Sequence, residues 1–401
     1  MTTPASLAQR FAALDALLIK HQHLWRPRPF TQLQLEWEHD HPELANWLRA
    51  RTLEQAELAH NQPELLDAPA PFGEIAKSAQ TLCHVDGVSV APHTQLNARQ
   101  TAGIPGRKLQ QIEAFAHSLQ FAQPVSHWLD WCAGKGHLGR VLAQDPQLLT
   151  CLEYDAELVA GGQKISDHLK RQARHIQQDV LAEDCQQQLQ PSHTPVALHA
   201  CGDLHVHLMQ LASKAGCQQL AIAPCCYNRT RDEHYQPLST AAKASSLQLS
   251  RDDLGLPASE TVTAGARVRR QRDNSMARRL AFDQLQRRLR GINEYLPTPS
   301  LPAAWLDKPF TDYCKDLAAL KDLPAPPADE DWDALQSLGW QRLAEVRNLE
   351  LVRDLFRRPL EMWLVLDRAL YLQEHGYSVT LKRFCPHEVT PRNLLLQAER
   401  L

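Results

Sequence analysis

Between Leu129 and Arg140 the chain reads LDWCAGKGHLGR, and its chemistry-bearing residues there are one acid and three glycines. Asp130 offers a carboxylate to a cationic group. Gly134 and Gly136 can take backbone angles closed to other residues and leave bare main chain for a ligand to lie against. Gly134-x-Gly136-x-x-Gly139 matches the G-x-G-x-x-G turn that ends a strand and opens a helix, with Cys132 and Ala133 completing the loop. Free N–H groups at such a helix start face a nucleotide-type cofactor. Glu153, in TCLEYD, can accept both hydroxyls of a ribose. Asp179, in HIQQDVL, can accept from an exocyclic adenine amine, with Val180 beside the ring, or it can cap a helix. S-adenosylmethionine (SAM) carries a cationic group that suits Asp130, its amino-acid ammonium. The same glycine turn also fits NAD enzymes.

Two further blocks add reactive groups. His199-Ala200-Cys201-Gly202-Asp203 and Pro224-Cys225-Cys226-Tyr227-Asn228 offer an imidazole, a carboxylate, three thiols, a phenol and an amide. His199 or Asp203 could act as a base or orient a nucleophile, and Tyr227 could stack on a substrate. Cys201, Cys225 and Cys226 with a histidine could bind zinc. Their spacing matches no standard finger, however, and two adjacent cysteines do not easily ligate one ion, so the sequence predicts small packing residues and no metal.

These residues need elements to position them. Strands are predicted at 125–130, 149–154, 174–178, 195–200 and 219–224, alternating with helices at 137–144, 156–172, 181–189 and 204–215. That rhythm argues for a Rossmann-like, doubly wound parallel sheet, with every block named above at the carboxyl ends of the strands. A helix from about 106 to 119 precedes it. A long helix from about 344 to 375, a strand 377–384 and a strand 393–398 predict an antiparallel hairpin added to the sheet edge. The chain is thus read as an N-terminal helical region (1–100), a cofactor-binding core (101–235), an inserted lobe (236–344) and a C-terminal helix and hairpin completing the core (345–401).

With 401 residues there is ample length for a buried core. The formal net charge of -3 gives no global basic signature, so any nucleic-acid affinity must be local. No apolar run is long enough for a membrane span or a signal-peptide core. Ten cysteines without a small-domain framework predict reduced thiols in a cytoplasmic protein. Against that neutral background, nine arginines and two aspartates lie between Arg267 and Arg290. An arginine-rich helix predicts an RNA-binding stripe, because the planar guanidinium fork binds phosphate at two points.

The blocks DWCAGKGHLGR, LHACGDL, APCCYN and LDRALYL…FCPHEVTPRN together resemble class I SAM-dependent methyltransferases of the methyltransferase domain 32 type. More distantly the chain is similar to a family of transfer-RNA 2'-O-methyltransferases, whose blocks read GAGKG, HLCG and CCHH. The resemblance covers about 105–230 and 345–401. It departs at Cys132, where class I methyltransferases usually have the first glycine of the loop. It implies SAM as cofactor, with Asp130, Gly134 and Gly136 along the methionine part, Glu153 on the ribose and Asp179 on the adenine. The expected activity is therefore methyl transfer, with RNA (tRNA or rRNA) as expected acceptor. A protein methyltransferase, an NAD-type oxidoreductase and a non-catalytic SAM- or RNA-binding module are the competing readings.

Overall fold

A computed structural model of the chain describes residues 6–85, 87, 104–259 and 266–401. Residues 1–5, 86 and 88–100 of the expected N-terminal region lie outside them. Seven strands form one sheet: β1 (His127–Trp131), β2 (Leu148–Glu153), β3 (Ala173–Gln177), β4 (His193–Ala197), β5 (Gln219–Ile222), β6 (Tyr377–Arg383) and β7 (Leu394–Arg400). Their order is β3-β2-β1-β4-β5-β7-β6. The first five pair in parallel, whereas β7 inserts antiparallel between β5 and β6. The expected doubly wound sheet with its C-terminal antiparallel pair is present.

The inner parallel strands are largely buried because both faces are covered, whereas the edge strand β3 (ARHIQ) is only partly so. On one face Trp128, Leu149, Cys151, Val196 and Ala221 pack under Ile112 and Phe115 of the Gly106–Ser118 helix and under Leu138, Val141 and Leu142 of the His137–Leu142 helix. On the other, the Trp131 indole N–H donates to the Leu204 carbonyl at 2.9 Å, tying β1 to the Asp203–Ala215 helix. The chain reverses order at β1/β4, so the crevice beyond β1 is the topological switch point of the sheet.

The structure divides into two compact units. One comprises residues 1–19, 82–259 and 358–401 and carries the whole sheet. The other comprises 20–81 and 260–357. This grouping differs from the four-segment division read from the sequence. Residues 236–259 stay with the sheet because the buried Asp367 carboxylate accepts from the Tyr235 hydroxyl (2.6 Å), the Leu238 N–H (3.0 Å) and the Ser239 N–H (2.7 Å). In the second unit the helices Ala266–Arg290 and Trp332–Asp354 pack closely at Gly339, where a Cβ would stand 2.5 Å from the Ala277 carbonyl oxygen. Asn348 of the same unit donates to the carbonyls of Arg51 and Thr52, joining early and late chain segments.

Two predicted helices differ in detail. The helix expected over 344–375 is instead two, Trp332–Asp354 and Arg357–Glu374. Pro359 has no N–H to give, so a helix containing it must place it in its first turn. The helix expected over 181–189 is a shorter 3-10 segment, Glu183–Gln188.

Candidate active site at the carboxyl edge of the sheet

The loop after β1 turns on three left-handed residues, Cys132 (φ 56°), Gly134 (φ 58°) and Gly136 (φ 70°). Two backbone hydrogen bonds hold it, Ala133 N–H to Leu152 O (2.9 Å) and Gly136 N–H to Ala133 O (2.8 Å). The glycines have different jobs. A Cβ on Gly134 would meet nothing within 4 Å, so its main chain faces open space. A Cβ on Gly136 would lie 2.5 Å from His175 Cε1 and 2.9 Å from Cys151 Sγ, and one on Gly139 would lie 2.5 Å from Leu149 Cδ1. Of the two, Gly134 is therefore the one whose main chain is left open. Gly136, expected to face a ligand, serves close packing of the loop and helix on the sheet.

Asp130 is 2 % exposed, and its Oδ2 accepts from the Gly139 N–H at 2.8 Å. The carboxylate thus anchors the helix start. Burial raises its pKa from 3.8 to about 7, against the opposing pull of the Gly139 N–H, Arg140 and Lys108. A cationic ligand group would restore the charged form. Cys132, partly buried beside it, has its thiol pKa raised, first by burial and then by Glu153 and Asp130. It stands in this loop as a neutral thiol.

Glu153 sits at the end of β2, where its Oε2 accepts from the Gly134 N–H (2.8 Å) and its Oε1 from the Asp155 N–H (3.1 Å). It braces the open glycine from the neighbouring strand. Asp179 follows β3 and is exposed, with Oδ1 accepting from the Leu181 N–H at 2.9 Å, while Val180 is buried. That local turn is the capping alternative the sequence left open. It leaves Asp179 Oδ2 beyond the turn itself.

The expected catalytic residues fare unequally. His199 lies beyond β4 and is exposed as a side chain, yet desolvation by the protein around it, followed by Lys108, lowers its pKa. It is a neutral imidazole at neutral pH, able to take a proton. Asp203 instead accepts from the Arg231 N–H at 2.7 Å at the start of its helix. Tyr227 is 1 % exposed, with its hydroxyl directed at the Pro224 carbonyl (3.4 Å), and burial raises its pKa. The expectation that it stacks on a substrate is corrected. It packs beside His205, whose Nδ1 bonds the Ala200 carbonyl and whose Nε2 accepts from Arg368 at 2.7 Å.

The sulfur groups also depart from expectation. The sulfurs of Cys201, Cys225 and Cys226 all lie within 4.8 Å of one another. In an extended chain adjacent residues point to opposite faces. Cys226 departs from that alternation by adopting φ 47°. All ten cysteines are free thiols.

Lys108, on the Gly106–Ser118 helix, is a charged neighbour of these groups that the sequence does not single out. Its charge acts on Asp130, His137 and His199 together. A lysine on an amphipathic helix is ordinarily solvent-facing, so no local signal distinguishes it.

In the second unit the arginine segment forms the helix Ala266–Arg290. Many of its arginines bond within the unit. Arg278 donates to the Lys308 carbonyl (2.9 Å) and Arg279 to the Pro299 carbonyl (3.0 Å). Arg287 pairs with Asp283 (2.9 Å), Arg288 with Glu330 (2.8 Å) and Arg272 with Asp273 (3.8 Å), while Arg290 donates to Gln286 (2.8 Å). The expected stripe is largely structural glue. Arg267, Arg269 and Arg270, at the helix start, remain on the surface. Among the described residues no helix is long and apolar enough to cross a membrane.

Residues 107–233 match the family described as "Methyltransferase domain". That span runs from the Gly106–Ser118 helix through β5 and includes every cofactor-edge residue described above. No solved structure matches the chain.

Proposed function

We propose that this chain, whose residues 107–233 match a methyltransferase domain, is a SAM-dependent methyltransferase, that SAM lies along the carboxyl edge of the sheet and that RNA receives its methyl group. One observation carries the cofactor placement. The strand order β3-β2-β1-β4-β5 sets Asp179, Glu153, Asp130, His199 and Cys225 in that sequence along one edge. This is the order of adenine, ribose and methionine in SAM, so a cofactor bound this way would have its methyl group near the ends of β4 and β5. The Asp130 carboxylate suits the ammonium and Lys108 suits the carboxylate of the methionine part. Cys132, Ala133 and Gly134 would lie along its chain, Glu153 at the ribose hydroxyls and Asp179 beside Val180 at the adenine. An NAD enzyme would need a hydride acceptor site at the β4–β5 edge, and His199 with three thiols is a poor match for one.

Methyl transfer is an in-line displacement at the carbon on the sulfonium, and alignment supplies most of the help a protein can give. A hydroxyl acceptor must also lose a proton, for which the neutral His199 is placed. Asp203, held by the Arg231 N–H, is suited to orienting this loop. RNA as acceptor is supported by the exposed Arg267, Arg269 and Arg270, and by the likeness of the sequence blocks to transfer-RNA methyltransferases. Cytoplasmic residence accords with ten free thiols.

The test is incubation of the full chain with methyl-labelled SAM and separated cellular RNA and protein. Label in RNA, abolished by unlabelled S-adenosylhomocysteine, is the expected result. Label in protein alone would replace the acceptor assignment. SAM binding with no label in either fraction would favour a non-catalytic module.

A further inference from the structure

We propose that Cys201, Cys225 and Cys226 form a three-thiolate site for one thiophilic divalent cation, zinc, beside the glycine loop. The proposal does not rest on the methyl-transfer reading, since it stands on the thiol geometry alone.

The framework is set by backbone. Cys201 and Cys225 form a parallel bridge beyond the ends of β4 and β5, so they stand level on neighbouring chains. Gly202 N–H donates to Cys225 O (3.1 Å), and Arg229 N–H closes the following turn on Cys226 O (2.9 Å). Gly202 takes φ 55° because the Arg229 backbone lies directly against it. Cys226, without a glycine's freedom, is nevertheless held left-handed at φ 47°. Such a conformation persists in a non-glycine residue only where the surroundings impose it, and it gathers at functional sites. Here its effect is to turn the third sulfur toward the other two.

The distances suit a metal. Cys201 Sγ and Cys225 Sγ are 3.9 Å apart, and tetrahedral zinc with bonds of about 2.3 Å separates its sulfurs by about 3.8 Å. Three atoms no more than 4.8 Å apart share a centre within about 2.8 Å of each, so closing on zinc moves each sulfur by about half an ångström at most. All three residues are partly exposed, so an ion can enter. Among the described residues no fourth ligand joins the group, which leaves one position for water or an incoming donor atom, the pattern of a catalytic rather than a closed structural site. Binding displaces thiol protons to solvent and involves no redox step.

The experiment uses the full chain. Purified protein is stripped with chelator, reloaded with zinc or cobalt(II), and measured by elemental analysis and by thiolate-to-cobalt charge-transfer absorption. About one zinc per chain is expected, with a cobalt band of three-thiolate intensity. Cys201→Ser, Cys225→Ser and Cys226→Ser should each weaken zinc in chelator competition by about tenfold or more, while Cys83→Ser retains it. Circular dichroism identifies any variant that fails to fold, and SAM binding by calorimetry, read separately, tests the methyl-transfer reading. Parent protein that takes up no zinc or cobalt overturns the proposal. So does a Cys201–Cys225 disulfide under reducing conditions, or equal zinc retention in all four variants.

Discussion

Replacing Asp130 by Asn tests the link between burial and cofactor recognition. The amide keeps an oxygen for the Gly139 N–H and removes the charge. In the free protein burial raises Asp130 to about 7. A ligand ammonium that requires the carboxylate must therefore drive off a proton below that pH. With a pKa near 7 the ionised fraction is about 3 % at pH 5.5 and about half at pH 7, so SAM affinity should rise about fifteenfold over that interval. Above it the rise stops, because the α-amino group of the ligand itself loses its proton at about 7.7–8.0. His137 and His175, lowered to about 4 by burial, stay neutral over the same range and contribute no slope. Asp130→Asn should bind about 1–3 kcal/mol more weakly at pH 7 and lose the slope. Stability moves in the opposite sense. A carboxyl with a raised folded-state pKa contributes most stability when protonated, below its ordinary 3.8, and loses it as pH rises toward about 7. The parent should therefore unfold more easily at pH 7 than at pH 5 by up to a few kcal/mol, a difference the variant lacks. Calorimetric titrations at four pH values and urea melts on both proteins supply the data. A parent affinity that is flat from pH 5.5 to 7, or a variant with the parent's slope, refutes the reasoning.

Glu153→Ala removes acceptors from the Gly134 and Asp155 N–H groups and should weaken SAM by about 1–3 kcal/mol; an unchanged dissociation constant removes Glu153 from the site. Gly202→Ala places a Cβ 2.0 Å from the Arg229 carbonyl oxygen and should cost on the order of 2–4 kcal/mol in a urea melt; a parent-like midpoint would show that this turn yields freely. His199→Ala should lower the rate of methyl transfer far more than SAM affinity, whereas Tyr227→Phe should leave both near parent values; equal losses of rate and binding at His199 would mark it as a cofactor contact. Arg278→Gln and Arg279→Gln should lower the melting temperature, because those side chains hold the 298–308 segment. Arg267→Gln with Arg270→Gln should spare stability and flatten the salt dependence of RNA binding by about one unit for each phosphate no longer neutralised; an unaltered slope in filter binding would exclude the helix start as the RNA surface.

Local pattern carried most of what the sequence determined. Alternating apolar runs and glycine turns located β1 to β5 within a few residues, since strand period and turn chemistry are properties of short stretches. The acids at the ends of β1, β2 and β3 were legible for the same reason. Tertiary structure decided what each group does there. Gly134 and Gly136 are indistinguishable in the motif, and only the packing of His175 and Cys151 against one of them separates open main chain from crowded main chain. Tyr227 and His199 sit in equally polar blocks, yet one is sealed in the core and the other reaches the edge. The arginine segment carries charge that reads as a surface, but several of its partners are carbonyls 20 to 256 residues away in sequence, Pro299, Lys308 and Thr31. The three thiols needed one left-handed residue and a strand crossover to converge. Composition fixes which groups exist, and spacing fixes the elements that carry them. Burial and meeting distance belong to the folded chain alone, because they depend on residues far apart in sequence.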